Sequence, residues 1–238
     1  MSELERAEDA GRLIARGLDG KRRPAADPTY RELLQRFRAD SSFRVVVEAT
    51  ARGLGLLVLG ATDHGLSLGA EDDGVFAERL TDYRRQMTVD ERMAHGLIHL
   101  AIAAWCFPTS QHLEDVESVV GARLGVGRLV RYLVDLCEEL KAHGGDDPVD
   151  GEPALAPAWV AILARAETRT TRDGRRSPGT LAGMVAHALE HLEQGGLVRR
   201  VGDEDGGTFQ ALGAYRLQVR ELAAVEAFGL IRRLGERG

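Results

Sequence analysis

One pattern constrains this chain more than any other, and it occurs twice. Val47 to Gly69 reads as the end of a helix, a glycine stop, a Leu-rich strand, the turn Thr62-Asp63-His64-Gly65, and a second strand ending in Leu68-Gly69. Val185 to Gly213 reads as helix, glycine stop, strand, an Asp/Gly turn, and a strand ending in Leu212-Gly213. Helical spacing of apolar residues that gives way to short strands around Gly/Asp turns predicts a helix feeding a β-hairpin. A helical pair running into a two-stranded wing is the winged-helix pattern. The expected fold is therefore mainly α with small β-hairpin wings, as tandem winged-helix domains.

The helices before each hairpin fit this reading. Tyr30, Leu33, Leu34 and Phe37 fall at i, i+3, i+4 and i+7, with Arg31, Glu32, Gln35 and Arg36 on the other face. Asp40-Ser41-Ser42 supplies cap residues for a second helix, striped by Phe43, Val46, Val47, Thr50 and Leu54 and stopped by Gly53 and Gly55. Thr88-Val89-Asp90-Glu91 is a capping box, opening an apolar helix that ends before Pro108 and reads as central to a core. Leu113, Val116 and Val120 mark a short helix; Leu129, Leu133, Leu136, Cys137 and Leu140 mark a longer one, closed by Gly144-Gly145. Trp159 to Ala166 is expected to be helical. Pro178 suits the first turn of the next helix, Pro178 to Gln194, with its stripe of Leu181, Met184, Val185, Ala188, Leu189 and Leu192. Its hairpin, Leu197 to Val201 and Thr208 to Leu212, carries the tip GDEDGG, expected to be mobile, and a last helix is expected from Glu221 to Leu234. The division that follows is a mixed-charge lead-in at 1–27 with a short helix, a first winged-helix-like domain at 28–86, and a second at 87–238.

Composition removes several classes. At 238 residues and 44% apolar, the chain has material for a real core and is too apolar for disorder. The apolar run Met93 to Phe107 is short of the ~20 residues that cross a bilayer. The N-terminus, MSELERAEDAGR, lacks an apolar signal region. Cys106 and Cys137, the only cysteines, form neither a disulfide framework nor a CxxC site and read as buried thiols in a reducing cytoplasm.

Charge is unevenly distributed along a chain of net −6. The segment Val134 to Pro153 holds seven acids against one base, and its 144–153 part reads as an exposed acidic loop or linker. Arg165 to Arg176 is locally basic. Arg169, Arg172, Arg175 and Arg176, with Arg199 and Arg200 on the following strand, are the candidate DNA-binding residues: they suit a phosphate backbone without reading sequence. The plainer reading of RTTRDGRRSPG is a solvated loop.

A winged helix usually lays its third helix in the major groove, where arginine is the commonest base reader. Pro178 to Gln194 has no Lys or Arg; its outward face reads as Gly183, His187, Glu190, His191 and Gln194. Acids at the wing tip (Asp203, Glu204, Asp205) also disfavour phosphate. A sequence-specific regulator is thus the alternative rather than the first reading. His187-Ala188-Leu189-Glu190-His191 spells H-x-x-E-H, the inverted zinc-protease signature, with only Glu221 or Glu226 downstream as a third ligand. Such matches arise readily in a helix rich in His and Glu, and no metal, cofactor or catalytic constellation is expected. His95 and His99, also four apart, read as core or interface histidines. No phosphate-loop, dinucleotide or nucleophile-elbow motif is present.

Pro28 to Gly69, followed by FAERLTDYRR and the apolar helix, resembles the KITE family, the small winged-helix subunits of bacterial SMC complexes, which include condensins and the Wadjet plasmid-defence systems. The resemblance covers most of the chain and rests on architecture. It implies a non-enzymatic, cytoplasmic, nucleoid-associated homodimer that binds a kleisin near the heads of an SMC ATPase and contacts DNA non-specifically during loop extrusion.

Overall fold

The computed structural model describes residues 2–71, 74–77, 87–114, 123–143, 156–167 and 179–223. It is mainly helical with two small antiparallel sheets. In order, the elements are α1 (Glu3–Leu18), α2 (Pro28–Ala39), α3 (Ser41–Gly53), β1 (Leu56–Thr62), β2 (Gly65–Ala70), α4 (Val89–Cys106) and α5 (Ser110–Glu114). Then come β3 (Arg123–Gly125), α6 (Val126–His143), α7 (Ala156–Leu163), α8 (Leu181–Gln194), β4 (Val198–Gly202) and β5 (Thr208–Ala211). Residues 213–223 are helical.

The first apolar cluster joins α1, α2, α3 and the first hairpin. All four residues of the α2 stripe are buried, together with Phe43, Val47, Ala51, Leu56 and Leu66. The 1–27 segment is more than a lead-in with a short helix. Ser2 and Glu5 form a reciprocal capping box that starts the 16-residue α1, and its Ala10, Leu13 and Ile14 are buried in the same cluster. Mixed charge hides this stripe: Arg12 and Arg16 flank it, and Asp9 reaches Arg36 of α2 at 2.9 Å. Asp40 ends α2 and, with its side chain on the Phe43 amide at 3.1 Å, begins α3. One residue thus turns the chain between two helices. The hairpin follows at once, paired Leu56↔Ala70 through Thr62↔Gly65 around Asp63-His64.

The second cluster is built on α4, α6, α7 and α8. As expected, α4 is central: Ala94, Leu97, Ile98, Ala101 and Ile102 are all buried. Its outer side nonetheless leaves Leu100 61% exposed. The three-stranded sheet has the order β3-β5-β4, and β3 is an element that sequence patterning did not suggest. Three residues are too short to show a period.

Helix α7 spans Ala156–Leu163 rather than Trp159 to Ala166, and three further features differ from expectation. Helix α8 starts at Leu181 rather than Pro178, because Thr180 caps it by accepting the Gly183 amide at 3.2 Å. The last helix is already formed at residue 213, not from Glu221. The tip expected to be mobile forms a 3₁₀ turn, Glu204–Gly206, between β4 and β5 and is tied to α6 rather than hanging free: Asp205 accepts the Arg128 amide at 2.9 Å. Val116, Val120, Gly144-Gly145, the 144–153 loop, Pro178 and most of the predicted Glu221–Leu234 helix lie outside the described residues.

The two clusters meet at the α1–α2 loop. Gly196 has φ +71, and a Cβ there would stand 2.7 Å from the Gly20 carbonyl oxygen. The loop between α1 and α2 therefore lies directly against the end of α8 and the start of β4. Close by, Leu217 of the 213–223 helix approaches Gly60 of β1, and Thr62 approaches Gly213.

Candidate nucleic-acid interface

Of the six candidate arginines, Arg199 and Arg200 are described, and both are exposed on β4. Arg169, Arg172, Arg175 and Arg176 lie outside the described residues. The two that are seen differ in how their charge is spent. Arg200 bonds Asp203 at 2.8 Å and lies over the Phe209 ring, so a carboxylate offsets it. Arg199 instead forks onto the neutral Oε1 of Gln210, its cross-strand neighbour, at 3.0 and 2.6 Å. Its positive charge is left for another partner.

The structure adds cations that hairpin and helix patterns do not reveal. Lys21, Arg22 and Arg23 sit on the α1–α2 loop, which packs against the α8–β4 junction. Arg22 is held by Asp27 at 2.9 Å and Asp19 at 3.5 Å. Asp27 also caps α2 through the Tyr30 amide and bonds Arg16; that amide first, then Arg22, holds its carboxyl down to about 2. Arg23 donates to two carbonyl oxygens, of Gly20 at 2.6 Å and Arg22 at 3.1 Å, and keeps its charge as Arg199 does. Both act on His64, from the tip of the first hairpin. Partial burial lowers its pKa first, and the positive charges of Arg23 and Arg199 lower it further. The run Lys21-Arg22-Arg23 was the readable signal, but nothing local says that it faces a strand near the other end of the chain.

The face of α8 expected to point outward does not do so in full. His187 stands edge-on to His95 of α4, with ring centroids 6.2 Å apart, and His191 stands likewise to His99 at 6.4 Å. Two helices that each carry histidines four residues apart thus run side by side with their imidazoles as rungs. Glu190 and Gln194 remain exposed. The H-x-x-E-H histidines face separate partners instead of converging on one centre. Among the described residues, no three His, Cys, Asp or Glu side chains are disposed to hold a metal ion. His95 is fully buried, and burial, with His191 and His187 adding to it, pushes His99 down to about 4. Both cysteines are free and buried; burial raises Cys106 to about 12 and Cys137 to about 11, so neither is a ready nucleophile. Among the described residues no helix is long and apolar enough to cross a membrane.

No protein-family model, curated protein or solved structure matches the chain.

Proposed function

We propose that the protein is a non-enzymatic, homodimeric subunit of a bacterial SMC complex, built from two winged helices, that binds a kleisin and touches DNA through its phosphate backbone. The observation that carries this reading is the combination of two helix-to-hairpin units with a recognition-type helix that cannot read bases. In the first unit α2 and α3 turn at Asp40 and run into β1–β2. In the second, α8 runs into β4–β5, and β3 completes a sheet ordered β3-β5-β4. Helix α8 carries no Lys or Arg, and two of its polar side chains, His187 and His191, are engaged with α4. Base readout through that helix is disfavoured, whereas backbone contact needs only cations such as Arg23 and Arg199. The kleisin and the SMC ATPase come from the family resemblance; the exposed apolar side of α4 supports the dimer.

Two measurements test this. Mixed with the kleisin encoded beside a coiled-coil ATPase in the same genome, the protein co-elutes in gel filtration. Duplex DNA of random and upstream sequence is bound equally and weakly, and binding fades as salt rises. A preference of ~10³-fold or more for one operator, with no kleisin complex, establishes a winged-helix transcription regulator instead.

A further inference from the structure

The cleft where the two apolar clusters meet has the features of a built oxyanion site. Its volume is about 60 Å³, well above the ~10–15 Å³ that one water needs. Arg22, Arg23, His64, Tyr30 and the backbone of Gly195-Gly196 are among the groups lining it. Two independent features bear on what it would hold.

The first is charge without a counter-charge. Arg12, Arg16, Arg36, Arg38 and Arg200 all bond carboxylates. Among the described residues Arg23 and Arg199 bond only neutral oxygens, and both act on His64 with the same sign. Among the described residues Asp63 is the acid opposing them at that imidazole, and it is tied to Arg38 at 3.2 Å. Asp19, on the cleft wall, is tied to Arg22 and to the Lys21 amide.

The second is a buried donor. Tyr30 is 1% exposed, and its hydroxyl oxygen accepts the Leu66 amide at 2.8 Å. A hydroxyl that accepts still has its own proton to give, and Tyr30 lines the cleft. Gly65, at φ +135, has no Cβ where one would strike this hydroxyl.

We propose that this cleft binds a phosphate oxyanion, with Arg23 on its wall as the charge partner, Arg199 of β4 adding positive field at His64 from outside the lining, and His64 and the Tyr30 hydroxyl as further donors. The group is a phosphodiester of a nucleic-acid backbone; free phosphate has the same chemistry, and the test separates the two sources. The assignment rests on the backbone-contact part of the proposed function and names where such a contact is made.

The experiment uses the full chain and follows the His64 imidazole by NMR across pH, with inorganic phosphate and, separately, with a 20-base-pair random duplex at two salt concentrations. The duplex raises the His64 pKa, because an anion opposes the positive field that, after burial, now lowers it. Arg23→Gln and Arg199→Gln each cut duplex affinity about 3–10-fold and flatten the salt slope by up to ~0.9, while Arg12→Gln on α1 changes neither. Glutamine retains hydrogen bonding to the neutral partners, and an unchanged thermal melt verifies folding. Duplex binding that is insensitive to both variants and leaves His64 unmoved overturns the cleft and spares the DNA reading. A His64 response to phosphate but none to duplex keeps the cleft and overturns its phosphodiester occupant; the DNA reading falls only if the duplex is not bound at all. No response to either ligand ends the proposal.

Discussion

The side chain of Asp205 is hydrogen-bonded to the backbone amide of Arg128 at 2.9 Å, across 77 positions of sequence. The tip between β4 and β5 therefore caps the N-terminus of α6, where free amides and the helix dipole favour a carboxylate. The Val126 amide, donating to the Gly207 carbonyl at 3.1 Å, secures the same junction. Asp205 holds φ +52 to reach it, and Gly125 and Gly127 leave room, since a Cβ at either would collide with the carboxylate. One acid that on sequence grounds argues against phosphate is thus turned inward, and Asp203 is offset by Arg200.

Asp205→Ala removes this cap and costs about 1 kcal/mol, within the ~0.5–2 kcal/mol range of such losses. Asp205→Asn, which tolerates the left-handed backbone and keeps an acceptor, retains most of the stability. Urea unfolding reads both as a midpoint shift at constant slope. Equal midpoints for Ala and wild type contradict the cap.

Tyr30→Phe keeps the ring that packs under the first hairpin and deletes only the acceptor of the buried Leu66 amide. An orphaned buried donor costs ~1–3 kcal/mol, so this variant is destabilised by about that amount with no cavity to blame. Faster hydrogen exchange at the Leu66 amide is the local signature. An unprotected Leu66 amide in the wild type would refute the assignment.

Acid weakens the α4–α8 seam. His99 titrates at about 4 in the folded protein against an ordinary 6.5, so the unfolded chain takes up the proton first as pH falls. The stabilisation is complete above pH 6.5, declines between 6.5 and 4, and is gone below. The whole shift corresponds to about 3 kcal/mol, of which about 2 kcal/mol is lost by pH 5. His99→Asn flattens the pH dependence of stability between 7 and 5, the window above most carboxylate titration. A variant with the wild-type slope there assigns the acid sensitivity elsewhere.

What the sequence revealed follows a physical rule. The α2 stripe, the capping box of α4 and the turn at Asp63-His64 are local patterns, and all three stand in the structure. The features that escaped depend on distant partners. His187 and His191 read as an outward face until α4 is placed beside them. Asp205 reads as a free tip until α6 is found beneath it. Charge masked the stripe of α1, because Arg12 and Arg16 sit beside its buried row. The basic joint needed Gly20 and Gly196 brought into contact, which no spacing along the chain specifies.

The dimer proposed above is predicted to form along the outer side of α4. Val89, Met93, Gly96 and Leu100 are spaced four, three and four residues apart, the rhythm of a helix–helix seam. Val89 is 60% exposed and Leu100 61%, while a Cβ at Gly96 would meet nothing within 4 Å. A second copy laid along this stripe covers both side chains and can approach closely at Gly96. Light scattering at micromolar concentration then returns twice the 25.9 kDa of one chain. Leu100→Glu places a charge in the seam and shifts the particle to the monomer mass. Because Leu100 faces solvent within one chain, the thermal melt of the isolated fold changes little, within ~0.5 kcal/mol. A wild-type particle of one chain's mass, or a Leu100→Glu variant that stays dimeric, removes α4 as the interface.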